Sequence, residues 1–167
     1  MLYFLLLGSN AGEQLTLLNN AIHCLETQLG QVQERSRVYE TAAWGDTSQP
    51  NYYNQVVTVR SQTDPHKALK IIQQIELELG RTRSPTNQNA PRTIDIDILL
   101  IDNLIINTPD LTVPHPRLPT RNFALLPLIE LAGDVMHPVL NMELDDVYEQ
   151  CPDDLEVWLL DDEQEDE

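Results

Sequence analysis

The hydrophobic pattern changes period several times along the chain, and each change marks an element. Leu2–Leu7 is a continuous apolar run, which reads as a fully buried strand. Gly8-Ser9-Asn10-Ala11-Gly12 is a turn. Leu15, Leu18, Ile22, Leu25 and Leu29 recur at spacings of three and four, predicting a helix over 14–29 with Gly30 as its stop. Gln31–Tyr39 reads as a second strand, 41–51 as a long polar loop with Gly45 and Pro50, and Tyr52–Ser61 as a third strand with Val57 and Val59 inward. Asp64-Pro65 is a helix start, a capping carboxylate followed by proline at the first helical position. Ala68, Leu69, Ile72, Ile75 and Leu79 form the predicted buried stripe of that helix, and Gly80 closes it. A second long loop covers 81–91.

The stretch from Pro91 to Leu100 then alternates with period two. On an unbroken strand, Ile94, Ile96, Ile98 and Leu100 share one face, and Thr93, Asp95, Asp97 and Leu99 share the other. The two aspartates then project to the same side with Cα atoms about 6–7 Å apart. Carboxylates held so close repel unless a cation sits between them. Mg²⁺ suits such a pair, because it takes one or two carboxylates, several waters and the oxygens of a phosphate.

Beyond this strand, Asp102-Asn103 predicts a turn into Leu104–Ile106, giving a hairpin. The chain reads helical again from about Thr120, with Pro127 breaking or kinking it, and Asn141 is positioned to cap a last helix near 143–151. The order β-α-β-β-α-β predicts an α+β fold. Its plan is a ferredoxin-like βαββαβ antiparallel sheet with helices on one face, plus an extra hairpin strand and C-terminal helices. The opposite sheet face would be free for a site bearing Asp95 and Asp97. Residues 1–160 read as one domain and 161–167 as an acidic, disordered tail.

Charge narrows the chemistry. The 167 residues carry a formal charge of −17, and nine of the acidic residues lie between Asp153 and Glu167 with no basic residue among them. Five of the ten basic residues (Arg81, Arg83, Arg92, Arg117 and Arg121) fall between 81 and 121. Arginines gathered around an aspartate strand suit a small polyanion with a metal, and the acidic remainder excludes the broad basic surface that duplex nucleic acid requires. No P-loop glycine motif is present, so arginines and metal would have to hold any phosphate. His115 stands between two prolines and is rigidly presented. Cys24 reads as a buried thiol, Arg117 as a surface charge, and Trp158 as packing for the C-terminal segment. The apolar run at the start is too short for a membrane span and follows no basic residue. With two cysteines in all, the expectation is a reduced, cytoplasmic protein without membrane contact.

A set of short motifs now carries a resemblance. Leu7-Gly8-Ser9-Asn10, Tyr39-Glu40-Thr41 with Trp44-Gly45, and Tyr52-Tyr53-Asn54 come first. Ile75-Glu76, Gly80-Arg81-Thr82-Arg83, Pro91 to Leu100, Val113-Pro114-His115 and Arg121-Asn122-Phe123 follow. In this order and spacing they resemble the 6-hydroxymethyl-7,8-dihydropterin pyrophosphokinases of the folate pathway, over residues 2 to about 138. The resemblance implies transfer of pyrophosphate from ATP to the pterin's hydroxymethyl group, with release of AMP. It implies that Asp95 and Asp97 hold two Mg²⁺ ions. It places Gln73, Glu76, Arg83, Arg92, Thr112, His115 and Arg121 at ATP, with Ile98 touching adenine through its backbone. Thr41, Trp44, Tyr52, Asn54, Asp95 and Phe123 fall to the pterin pocket, and Arg81 and Arg92 match loop arginines tied to catalysis.

The chain departs from the family pattern in places. Gln88-Asn89-Ala90-Pro91-Arg92 stands where the family often has Arg-Trp-Gly-Pro-Arg, so a stacking tryptophan is missing, and Ala42-Ala43 replaces a common proline pair. The expected enzyme is a monomeric ATP-dependent diphosphokinase whose partners are ATP and a dihydropterin. Two rivals are an Mg²⁺-dependent phosphoryl or nucleotidyl transferase with another substrate, and an interaction domain that has lost catalysis.

Overall fold

A computed structural model describes residues 1–10, 13–42, 51–80 and 94–160. In chain order it forms β1 (Leu2–Ser9), α1 (Gln14–Gln28), β2 (Gln31–Arg35), β3 (Tyr39–Thr41), β4 (Tyr52–Arg60), α2 (Pro65–Gly80) and β5 (Asp95–Ile101). Two short strands, β6 (Ile106–Asn107) and β7 (Thr112–Val113), follow. A 3-10 turn (Leu118–Thr120), α3 (Asn122–Ala132), α4 (Leu144–Glu149) and β8 (Val157–Leu159) complete it. The main sheet runs β5-β1-β4-β3-β8, with β2 also paired to β4. All of its pairings are antiparallel. Each crossover through α1 or α2 skips one strand position, which is the split βαβ arrangement expected from the element order.

The two helices are made as their sequences predict. Leu18, Ala21, Ile22 and Leu25 of α1 are buried, as are Ala68, Ile72 and Ile75 of α2, whereas Leu69 and Leu79 are only half-buried. Asp64 Oδ2 accepts the backbone N–H groups of His66 (3.2 Å) and Lys67 (3.4 Å), so the predicted cap is in place. Gly30 ends α1 for a packing reason: a Cβ there would collide with the carbonyl oxygen of Arg60 on β4. Cys24 packs against this core but is half-buried rather than fully buried.

Several sequence expectations about pairing and caps are corrected. The strand predicted over 31–39 is two strands, because paired positions with β4 slip by one residue between Val32 and Glu34 and again between Arg35 and Tyr39. Ser36 fills the second break: its N–H donates to the Val56 carbonyl (2.8 Å), and its Oγ accepts the Val56 N–H (2.9 Å). Leu100 does not lie with the isoleucines. Pairing between β1 and β5 shifts at Phe4/Leu5, leaving Leu99 as a bulge, and beyond it Leu100 faces the opposite side while Ile101 takes the isoleucine side. The segment after Asp102 pairs as β6 with β7 in a separate ribbon, not back onto β5. Asn141 is a turn residue at φ 56°, and Glu143 precedes α4.

The second sheet face is only partly free. Phe4, Leu6, Val56, Leu99 and Leu100 pack there against Leu118, Leu125, Leu128, Leu144 and Val147. Pro127 lies inside α3, buried, without ending it; lacking an N–H, it leaves the Phe123 carbonyl without its usual donor. Tyr39 Oη and the Arg37 backbone N–H (3.0 Å) both donate to the Glu130 carboxylate, tying α3 to β3. Burial and the Glu130 charge push the Tyr39 hydroxyl up to about 12. No helix among the described residues is long and apolar enough to cross a membrane.

Candidate active site

The cleft begins where α3 stops covering the sheet. Along this face β1 presents Phe4, Leu6 and then Gly8, so the floor drops as side chains shrink. Leu6 pairs with Asp97 and Val56, and Gly8 pairs with Asp95 and Asn54. Residues directly opposite in an antiparallel sheet project to the same side. Asp95, Gly8 and Asn54 therefore form one row, with the Cα atoms of Asp95 and Asn54 about 10 Å apart across two interstrand spacings. Gly8, in the middle of the row, has no side chain, and Asn54 Oδ1 lies over it. A Cβ at Gly8 would sit 3.2 Å from Asn54 Oδ1.

The cleft has a volume of about 540 Å³. Its walls carry Thr41, Ala42 and Tyr52 from the β3–β4 side, Arg117, Thr120 and Arg121 from the strap before α3, and Phe123 from α3 itself. Asn54 is buried and donates from Nδ2 to Thr41 Oγ1 (3.3 Å), which turns its Oδ1 toward the open floor. The Arg121 guanidinium lies 5.6 Å from the centre of the Phe123 ring, a cation–π contact.

The bulge at Leu99 helps set the strap. The Leu99 carbonyl accepts the backbone N–H of His115 (2.9 Å). His115 Nδ1 accepts the Arg117 N–H (3.1 Å), and fully buried Leu118 anchors the turn, so Arg117, Thr120 and Arg121 face the cleft. Burial pushes the His115 pKa down; the Asp97 charge opposes that, and Arg121 and Arg117 add to it. The imidazole is therefore held toward its neutral form, with Nδ1 as acceptor and the proton on Nε2.

Asp95 and Asp97 are both half-buried and lie on the same wall. No cluster of three or more His, Cys, Asp or Glu side chains that could hold a metal occurs among the described residues. Two carboxylates beside open space fit Mg²⁺, which completes its shell with water and phosphate oxygens, and do not fit a closed structural zinc site.

Comparisons with known proteins agree with this geometry. The family model for 7,8-dihydro-6-hydroxymethylpterin-pyrophosphokinase matches residues 4–133. The chain belongs to this family. A 2-amino-4-hydroxy-6-hydroxymethyldihydropteridine pyrophosphokinase of Aquifex aeolicus is 39% identical over 141 residues, covering 84% of this chain and 86% of that protein. One of Porphyromonas gingivalis is 42% identical over 137 residues, covering 81% of this chain and 92% of that protein. The folic acid synthesis protein FOL1 of Dictyostelium discoideum is 40% identical over 139 residues and 83% of this chain, yet the chain spans only 21% of its length. In structure, the wild-type HPPK-DHPS of Plasmodium falciparum superposes with a TM-score of 0.72 at 19% identity, over 89% of this chain and 44% of the other, a likeness of fold.

Within a pyrophosphokinase frame, the structure gathers Thr41, Tyr52, Asn54, Asp95, Asp97, Arg121 and Phe123 around one cleft, as the sequence led us to expect. Other expected residues sit behind or beside it. Glu76 on α2 accepts the Ile96 backbone N–H (2.8 Å), which ties that helix to the aspartate strand. The Ile98 side chain is in the core of the opposite face, while Gln73 and Thr112 are exposed and do not line the cleft. Trp44, Arg81, Arg83, Arg92 and the Asn89 departure lie outside the described residues.

Several cleft residues escaped the sequence reading, among them Arg117, Thr120, Asp153 and Leu155. Arg117, read as a surface charge, lines the wall beside Thr120. Asp153 and Leu155 reach the cleft from the C-terminal segment. Proximity to His115 was a usable signal for Arg117. Nothing in the local sequence marks Asp153, because its role depends on a contact with Asn122, 31 residues earlier.

Proposed function

We propose that this chain transfers pyrophosphate from ATP to the hydroxymethyl group of 6-hydroxymethyl-7,8-dihydropterin, releasing AMP, in folate biosynthesis. The observation that carries this reading is the row Asp95–Gly8–Asn54. A metal-binding carboxylate and an amide stand at the two ends of a flat open floor, a span suited to a bicyclic ring with one reactive arm. Asn54 Oδ1 can accept from the amide-like edge of the ring, and Thr41 orients Asn54. Tyr52 and Phe123 supply aromatic surface for the ring.

In the reaction the substrate hydroxyl oxygen bonds to the β-phosphorus. The bond from that phosphorus to the oxygen bridging it to the α-phosphorus breaks, its electron pair leaves with AMP, and the hydroxyl proton is lost. Asp95 and Asp97 would hold two Mg²⁺ ions, which when bound neutralise phosphate charge and lower the pKa of the attacking hydroxyl. Arg121 and Arg117 offer bidentate donors to phosphate oxygens from the strap before α3. His115, held neutral, can donate from Nε2 without adding charge. Arg81, Arg83, Arg92, Gln73, Glu76, Ile98, Thr112 and Trp44 keep the ATP and pterin roles that their motif positions imply. The enzyme is read as a cytoplasmic monomer acting on small molecules, with neither nucleic acid nor membrane as partner.

The test is product analysis with ATP, Mg²⁺ and the hydroxymethyl dihydropterin. AMP and the pterin pyrophosphate are expected in equal amounts. Formation of ADP or free pyrophosphate in place of AMP and the pterin pyrophosphate would assign the cleft to a different phosphoryl or nucleotidyl transfer.

A further inference from the structure

We propose that residues 153–159 clamp the two walls of the cleft, and that Asp153 is a positioning residue for the ring-binding end; this rests on the function read above. The segment lies beyond residues 4–133, the part matched by the family model, and it grips both walls at once. Its strand β8 adds to the edge of β3, pairing Leu159 with Tyr39, Trp158 with Glu40 and Val157 with Thr41. The ladder thus ends on the threonine that orients Asn54.

Just upstream, the Asp153 carboxylate accepts the Asn122 backbone N–H at Oδ2 (3.1 Å) and the Leu155 N–H at Oδ1 (3.0 Å). The Asn122 side-chain amide donates to the carbonyls of Asp153 (3.3 Å) and Leu155. Asn122 Oδ1 is buried without a partner among the described residues, so the donor end alone fixes the amide's direction. Asn122 is the first residue of α3 and lies between Arg121 and Phe123. Arg121 precedes the helix without supplying a side-chain cap. Asp153 gives α3 the oxygen that the residue before the helix does not supply, at the end where a negative charge is favoured.

The consequence is pre-organisation. With Asp153 in place, the first turn of α3 presents Phe123 in a set orientation before the ring arrives. Without it, that ordering must occur during binding, and affinity for the flat heterocycle falls. The segment pairs with no residue of β5, so the metal-binding carboxylates are left as they were.

The experiment compares full-length wild type, D153A and D153N in steady-state kinetics and ligand-free amide hydrogen exchange. D153A is expected to raise KM for the pterin about ten-fold while kcat and KM for ATP stay within about three-fold, the pattern of lost pre-organisation. D153N keeps one carbonyl acceptor for the Asn122 N–H and should recover most of the pterin KM. Exchange at residues 122–125 should quicken in D153A whether or not the protein turns over. A wild-type pterin KM in D153A overturns the clamp, as does unchanged exchange in the first turn of α3. Wild type that releases no AMP but shows the exchange difference overturns the functional reading and leaves the clamp standing. If D153A does not fold, N122A decides, because it removes the side-chain bonds to the Asp153 and Leu155 carbonyls: a raised pterin KM with an unchanged ATP KM supports the clamp, and wild-type values for both overturn it.

Discussion

The two faces of one sheet make opposite use of the same strands. On the first face Tyr3, Leu5, Leu7, Val57, Val59, Ile96 and Ile98 meet the stripes of α1 and α2, and the contact is apolar along its length. On the second, Phe4, Leu6, Val56 and Leu100 pack beneath α3, and then the row gives way to Gly8, Asn54 and Asp95. Alternate residues of β1, β4 and β5 thus form an apolar core on one side and, beyond α3, the candidate cleft on the other. A cleft of half-buried carboxylates is tolerable here because its backing layer is a continuous apolar core. The site can carry polar groups in a low-dielectric wall without the sheet itself depending on them.

That contrast can be broken by substitution. Asp97→Asn removes a proposed metal ligand and should lower kcat/KM by at least a thousand-fold, about 4 kcal/mol at the transition state, with little change in the unfolding midpoint. Turnover near that of wild type would disprove the assignment of this face to the chemistry. Ile72→Ala, on the other face, should reverse the pattern: about 3 kcal/mol of stability lost in denaturant unfolding, with unchanged KM values at temperatures where the protein is folded. A large KM shift there would show that the two faces are coupled.

Gly8→Ala sharpens the comparison at the point where core becomes floor. The added methyl would lie 3.2 Å from Asn54 Oδ1. It should weaken pterin binding by about 1 kcal/mol and leave ATP binding alone, which calorimetry with each ligand separately can check.

The smallest effect concerns His137, below α3. Burial lowers its pKa, and its Nδ1 accepts the N–H groups of Val139 (3.2 Å) and Leu140 (3.1 Å). The folded state therefore prefers the neutral ring. Its contribution is complete above the ordinary histidine pKa of about 6.5 and is lost as pH falls through the folded value. Between pH 7.5 and 5 the wild type should lose slightly more stability than His137→Asn, which keeps an acceptor but does not titrate. Equal losses in the two proteins would mean that the ring stays neutral throughout.

Much of the fold and part of the site were legible in the residues alone. The helices of residues 14–28 and 65–80 follow from three-and-four spacing and, for the second, from the Asp64-Pro65 cap, all of which are local signals. The alternation of Ile94, Asp95, Ile96, Asp97 and Ile98 assigned the acids to one face and the isoleucines to the other, because strand periodicity leaves no other choice over so short a run. Arg121, Phe123, Asn54 and Thr41 are implied by the family resemblance that the motifs carry, and the fold brings them to one cleft.

What only the tertiary structure decided were the features created by contact between distant segments. The bulge at Leu99 arises from the register between β1 and β5, and it both turns Leu100 over and seats His115 on the Leu99 carbonyl. The break at Ser36 comes from its pair of hydrogen bonds with Val56, and the edge strand β8 forms where β3 offers unpaired backbone. Arg117 and Asp153 look like ordinary surface charges in the chain and become cleft walls when α3 and the C-terminal segment close around them. Local periodicity can encode which way a side chain points relative to its own backbone. Which other backbone it meets is set by long-range pairing and packing, whose energies are shared among many residues and written in no single stretch of the chain.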